Sequence, residues 1–265
     1  MYTPLQLVKK YLHYYITANN RHGHGTHSPF IYNFIRAVLM DKKKYPAYNP
    51  IENLRHQLHT KNKTIAIKDF VAGSKFHPYK QQKIKSVFTS MAKPAKFDQL
   101  LFRMLRYYKS KYVLELGTCL GITTAYLASA NTENFITTCE DNSNIAQIAK
   151  QHFNRLSLKN ITQVIGHFDN TLKDTLNKIP QLDFVCINGN NCKEAILFYW
   201  NMLYNKAHNE TLFIFDKIHG SAEMEEVWKK IQQLDMVTCT IDLFSIGIVS
   251  IRKEIKEPVH LSIRY

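Results

Sequence analysis

The stretch Val113-Leu-Glu-Leu-Gly-Thr-Cys-Leu-Gly121, running into Ile122-Thr-Thr-Ala-Tyr-Leu-Ala128, decides the fold. An apolar run that stops at a glycine and gives way to a helical pattern reads as a buried strand turning into a helix. Gly117 allows a tight turn with no side chain in the way. Gly121 lets backbone N–H groups at the helix start come close to a ligand. Glu140 ends the next strand-like run, 19 residues beyond Gly121. An acidic side chain at that place accepts both hydroxyls of a ribose. A Gly-x-Gly-x-x-Gly dinucleotide fingerprint would need glycine at Cys119, and the chain has no Gly-x-x-x-x-Gly-Lys-Ser/Thr phosphate loop.

Downstream the same alternation continues. Strand-like runs fall at Tyr112–Leu116, Phe135–Glu140, Ile161–Ile165, Phe184–Ile187 and Leu212–Phe215, each followed by a helical segment. Their apolar interiors predict an α/β fold with a doubly wound parallel sheet covered on both faces. Met236–Leu243 and Ile246–Arg252 lie a few residues apart and predict a terminal antiparallel hairpin, which makes seven strands. Ser221 before Glu223–Glu226 reads as a capped helix start.

Upstream the texture is helical. Leu5, Val8, Leu12 and Tyr15 recur at helical spacing. Ser28-Pro29 and Asn49-Pro50 read as a cap followed by proline at the first helical position. Thr64–Lys68 alternates like a short strand, Asp69–Ser74 reads as a turn, and helices are expected near 79–90 and 97–109. The chain therefore divides into a basic, mainly helical extension, 1–89, packing on a domain of residues 90–265. His22, His24 and His27 sit in a glycine-flanked loop with no cysteine or acid to complete a zinc site.

Composition bounds the rest. Of 265 residues, 45% are apolar and 21% charged, which excludes disorder over most of the chain. Apolar runs are strand-length, short of the ~20 residues of a membrane helix. The N-terminus lacks a signal-peptide pattern, and five scattered cysteines (119, 139, 186, 192, 239) give neither a disulfide framework nor a zinc cage. A soluble cytoplasmic protein is expected. The net charge of +14 is concentrated: residues 1–110 hold 20 Lys+Arg against 4 Asp+Glu, and residues 111–265 hold 15 against 17. Such asymmetry fits either a polyanionic partner or a lysine-rich solvated surface.

The region from Val113 onward resembles a class I S-adenosylmethionine-dependent methyltransferase of the O-methyltransferase-like kind. The resemblance is carried by Glu115-Leu-Gly-Thr-Cys-Leu-Gly121, Glu140, Gly166-His-Phe-Asp169, Asp183-Phe-Val-Cys-Ile-Asn-Gly-Asn-Asn191 and Phe215-Asp-Lys-Ile-His219. Asp69–Ser74 and Lys93-Pro94-Ala-Lys96 look like family features more loosely. The resemblance implies a Rossmann-like sheet and S-adenosylmethionine as cofactor. It implies that Glu115, Gly117, Thr118 and Gly121 surround the methionine part, that Glu140 holds the ribose with Asp141 beside it, and that Asp169 lies by the adenine. His167 and Phe168 are neighbouring candidates for that last place, and a helix N-cap is the bland reading of Asp169.

The chain also departs from that family. Relatives acting on catechol-like acceptors hold a divalent metal with an Asp after the fourth strand of the unit and an Asp-Asp or Asp-Asn pair after the fifth. Asn188, Asp216 and Lys217 stand there instead, and Asn191 replaces a histidine. An ammonium repels a dication by about 4 kcal/mol per unit-charge pair at 4 Å, so no catalytic metal is expected. Amides cannot act as bases near neutral pH, which leaves His219 or Lys217 as candidate base. The expected reading is methylation of a small or medium acceptor at oxygen and without metal, by an enzyme for which a homodimer is open and a membrane is not expected. Two rivals stay open: an RNA methyltransferase using the basic half, and a cofactor-binding protein that has lost its chemistry.

Overall fold

The computed structural model describes residues 1–18, 28–68, 79–189 and 192–265. The histidine loop, the turn at Asp69–Ser74 and Asn191 lie outside these residues. In chain order, α1 (Pro4–Thr17) is followed by α2 (Pro29–Asn33), which continues as a wider π-type turn over Phe34–Leu39. Then come α3 (Tyr48–Thr60), β1 (Thr64–Lys68), β2 (Tyr79–Lys83), α4 (Ile84–Met91) and α5 (Ala95–Tyr108). The alternating part comprises β3 (Tyr112–Leu116), α6 (Ile122–Ala130), β4 (Phe135–Glu140), α7 (Ser143–Arg155), β5 (Ile161–Ile165) and α8 (Phe168–Lys178). It continues through β6 (Leu182–Ile187), α9 (Lys193–Tyr204), β7 (Ala207–Asp216), α10 (Ala222–Gln232), β8 (Cys239–Asp242), β9 (Ile246–Ser250) and β10 (Val259–Ser262).

The sheet order is β10-β8-β9-β7-β6-β3-β4-β5. Strands β3 to β7 pair in parallel, and β9 runs antiparallel to both β7 and β8. The expected seven strands and terminal hairpin are present. An eighth, β10, joins the edge parallel to β8. Helices cover both faces, with one apolar cluster on each. The first cluster unites Phe34, Leu54 and Phe88 of the extension with Val113, Leu127 and Ile248. Extension and sheet thus share a core.

Three local expectations change. Tyr79–Lys83, read as helix, is a strand pairing antiparallel with β1 from Thr64↔Lys83 to Lys68↔Tyr79; backbone pairing outweighs the weak helical spacing of this polar run. Helix α1 forms, but Leu5 and Val8 are 67% and 55% exposed, and the buried residue is Tyr14. Polar links set that orientation: Tyr2 and Lys10 donate to Glu225, and the Tyr14 hydroxyl donates to the Ile263 carbonyl. Ser28 makes no side-chain cap, and α3 begins at Tyr48, one residue ahead of the expected Asn49 cap. Ser221 does cap α10, accepting from Met224 N at 3.2 Å.

Candidate functional site

Every crossover of a doubly wound sheet brings the carboxyl ends of its strands to one edge, where ligands bind. A cavity of about 530 Å³ lies there. Its walls come from the β3–α6 turn, the ends of β4, β6 and β7, and the extension through Arg55, Ile67, Phe88 and Met91.

The turn is fixed by backbone bonds. Gly117 and Thr118 donate N–H groups to the Cys139 carbonyl at 2.9 and 3.1 Å, tying the end of β3 to β4. Gly117 has φ +100°, and a Cβ there would lie 2.8 Å from Gly189 N. Gly121 has φ +80°, and its Cβ would lie 2.5 Å from Phe153 Cε1 of α7. The second glycine therefore answers to helix packing as well as to the cavity it lines. Thr118 Oγ1 bonds Thr138 Oγ1 at 2.6 Å beneath the turn.

Glu140 is held rather than free. Cys119 N donates to its Oε2 at 2.8 Å and Asn142 N to its Oε1 at 3.1 Å. Burial pushes its carboxyl up, with a further upward push from Asp141. Each oxygen keeps one lone pair for an incoming hydroxyl. Asn142 next caps α7, its Oδ1 accepting from Asn144 N and Ile145 N. Asp141 lines the cavity. Asp169 does not: its carboxylate accepts from Tyr199 Oη at 2.6 Å, while His167 and Phe168 form the wall. His167, not Asp169, is the N-cap of α8.

Glu115 lies below the cavity, fully buried. Thr124 and Thr138 donate to Oε2 at 2.5 and 2.7 Å, and Asn188 Nδ2 donates to Oε1 at 2.9 Å. Burial pushes its carboxyl up to about 7 against the pull of those hydroxyls and of Lys93. Because the Asn188 amino group faces Glu115, its carbonyl faces Lys93, whose Nζ donates to Oδ1 at 3.2 Å. The same Nζ donates to Thr123 Oγ1 at 3.3 Å and lies 3.7 Å from Asp216 Oδ1. Burial opposes the Lys93 charge, but Asp216 and Asp98 more than offset it and hold the ammonium above the usual lysine range. Burial pushes the Asp216 carboxyl up.

The sequence reading missed this lysine as a site residue. It stands two residues ahead of α5, where the helix dipole disfavours a cation; that anomaly was the available signal. Asp98, also missed, accepts from Arg55 Nη2 at 2.6 Å and from Thr123 Oγ1 at 2.8 Å, and Arg55 Nη1 reaches the Lys93 carbonyl at 3.0 Å.

Asn188, Asp216 and Lys217 all line the cavity. Lys217 adopts φ +53°, with its N–H on the Ser245 carbonyl at 2.7 Å and Nζ on the Ser90 carbonyl at 3.1 Å. His219 does not line it. Its Nδ1 bonds Glu225 at 3.0 Å and its Nε2 bonds Asp242 at 2.7 Å, while its ring stacks on Phe244. Both nitrogens are engaged outside the cavity, so the structure does not bring this candidate base to the site. A divalent metal does not fit either. The three ligand positions offer one carboxylate, one amide and one lysine, and the Lys93 ammonium stands between Asn188 and Asp216. Among the described residues, the grouping able to hold a metal is exposed Cys192, Glu194 and Glu223, none of which lines the cavity.

Sheet order, reversed β9 and the β3–α6 turn define a Rossmann-like methyltransferase fold. Residues 114–218 match the family model described as a methyltransferase domain. No curated protein matches the chain. Among solved structures, it is similar to an S-adenosylhomocysteine-bound methyltransferase of Podospora anserina, with a TM-score of 0.59 at 9% identity over 95% of this chain and 97% of that one. The O-methyltransferase TomG of Streptomyces achromogenes, in complex with S-adenosylmethionine and involved in tomaymycin synthesis, has a TM-score of 0.58 at 15% identity, over 79% and 91%. An O-methyltransferase of Bacillus cereus with S-adenosylhomocysteine has 0.56 at 14%, over 81% and 94%. At these identities the likeness establishes the fold. No helix among the described residues is long and apolar enough to cross a membrane.

Proposed function

We propose that this chain transfers a methyl group from S-adenosylmethionine to an oxygen of a small or medium-sized acceptor, without a divalent metal. The observation that carries the reading is the Gly117 turn facing Glu140, whose carboxylate is aimed by the Cys119 and Asn142 N–H groups. When bound, the cofactor supplies an electrophilic methyl group on a sulfonium. Glu140 accepts the ribose hydroxyls, and Asp141 stands beside it. Ile145, His167 and Phe168 offer the wall for the base. The turn at Gly117 and Thr118, braced by Glu115, takes the methionine part. Asn188, Asp216 and Lys217 are left for the acceptor end. The charged side chains of Lys93, Asp216 and Lys217 lining that end support an active enzyme over a protein that only holds the cofactor.

Isothermal titration tests the reading. S-adenosylmethionine and S-adenosylhomocysteine should bind, and NAD and ATP should not. Glu140→Gln puts an amino group where one acceptor oxygen stood and leaves a buried donor unpaired, which costs about 1–3 kcal/mol. Its affinity for S-adenosylhomocysteine should fall at least tenfold with the fold intact. Equal binding of NAD, or an unchanged Glu140→Gln variant, refutes the assignment.

A further inference from the structure

At the acceptor end two buried polar groups have capacity to spare. The Lys93 ammonium has three N–H donors. Two are directed to Thr123 and Asn188. Asp216 Oδ1, 3.7 Å from that nitrogen, is beyond hydrogen-bond reach of it and, among the described residues, has no hydrogen-bond partner. Both side chains are 6% exposed, and both line the cavity.

The surroundings fix the pair. Glu115 turns the Asn188 amide so that its oxygen faces Lys93. Asp98 takes the Thr123 hydroxyl proton, leaving that oxygen's lone pairs to Lys93, and Arg55 holds Asp98 in turn. Both atoms face the cavity, so a group that enters with the substrate can meet them both. An oxygen about 2.8 Å from both atoms satisfies both: it accepts from the ammonium and donates its hydrogen to the carboxylate. A hydroxyl does this. A protonated amine is repelled by Lys93, and a carboxylate by Asp216.

Resting on the methyl-transfer reading above, we propose that Lys93 and Asp216 form the acceptor site, and that the acceptor is a neutral alcohol or phenol whose hydroxyl bridges them. Lys93 does here what a metal ion does in the metal-dependent enzymes the chain resembles: it holds the oxygen and neutralises the charge that develops on it. The hydroxyl proton passes to Asp216 and from there to water. The oxygen lone pair forms the new C–O bond as the C–S bond of the sulfonium donor breaks, leaving a neutral thioether.

The test incubates the full chain with methyl-labelled S-adenosylmethionine and a small-molecule extract of the source cells, and locates the label in the product by NMR. Label on a hydroxyl-derived ether is expected. With that acceptor isolated, Lys93→Met, Lys93→Gln and Asp216→Asn should each lower kcat at least 100-fold. Their Kd for S-adenosylhomocysteine should stay within threefold of wild type, which separates lost chemistry from lost folding. Lys93→Arg, which keeps the charge, should recover part of kcat. The electron paramagnetic resonance spectrum of Mn²⁺ added to the S-adenosylhomocysteine complex should be the same for wild type and Asp216→Asn. Wild-type protein that binds no S-adenosylhomocysteine, or binds it and labels nothing, overturns the methyl-transfer reading and this inference together. Label on nitrogen, carbon or a carboxylate, wild-type kcat in the Lys93 variants, or a stoichiometric Mn²⁺ signal that Asp216→Asn abolishes overturns the acceptor site alone.

Discussion

Replacing Gly121 by alanine adds two separable costs at one atom. The backbone sits at φ +80°, where an L-residue is disfavoured by about 1–2 kcal/mol. The new Cβ would also lie 2.5 and 2.9 Å from two ring carbons of Phe153 and 3.2 Å from Ala149 Cβ. Phe153 is only 2% exposed, so the ring has little room to swing away. Overpacking of this kind costs about 1–3 kcal/mol. The expected loss is about 2–5 kcal/mol, read from urea unfolding. A double-mutant cycle with Phe153→Leu divides it. The shorter side chain relieves the clash but not the backbone, so Gly121→Ala should cost only about 1–2 kcal/mol in that background, a coupling of about 1–3 kcal/mol. A cost below about 1 kcal/mol, or the same cost in both backgrounds, refutes the packing argument. If the glycine served only close approach to a ligand, S-adenosylhomocysteine affinity would fall with stability untouched.

Arg55→Met strips the buried Asp98 carboxylate, 1% exposed, of its counterion; removing one partner of such a pair costs about 3–5 kcal/mol. Adding Asp98→Asn should return a large part of the loss in urea unfolding. The His219 pKa is raised: burial opposes the charge, but the Asp242 and Glu225 carboxylates outweigh it. A raised folded-state pKa gives stability that is full below the unfolded value near 6.5 and is lost as pH rises through the folded value. The melting temperature of the wild type should therefore fall as pH rises above about 6.5, and His219→Gln should flatten that slope. An unchanged slope in the variant would show that another group governs it.

The strands from Tyr112 to Ser250 were legible because buried parallel strands are written as apolar runs between glycine-bearing turns. Two strands were not. Tyr79–Lys83 is four polar residues behind a tyrosine, and Val259–Ser262 is a short edge strand; both exist through backbone pairing rather than through an apolar pattern of their own. The end of the cavity at the β3–α6 turn was legible for the same reason as the fold, since Gly117 and Glu140 sit at fixed places relative to their strands. The end lined by Lys93 and Asp216 was not. Lys93, Thr123, Asn188 and Asp216 come from separate segments, and the lysine's odd place ahead of a helix does not name an amide and an acid as its partners. His219 shows the converse: a histidine after β7 looks like a base until Glu225 and Asp242 are found on either side of it.

Arg55 reaches the Lys93 carbonyl and the Asp98 carboxylate from α3, while Phe88 and Met91 wall the same cavity. On the proposed reading, the loops of the sheet grip the nucleoside, and segments ahead of the sheet join Asn188 and Asp216 around the substrate. Recutting the helices ahead of the sheet would then alter the substrate fit while leaving the cofactor cradle standing, provided that the guanidinium bracing Asp98 is kept.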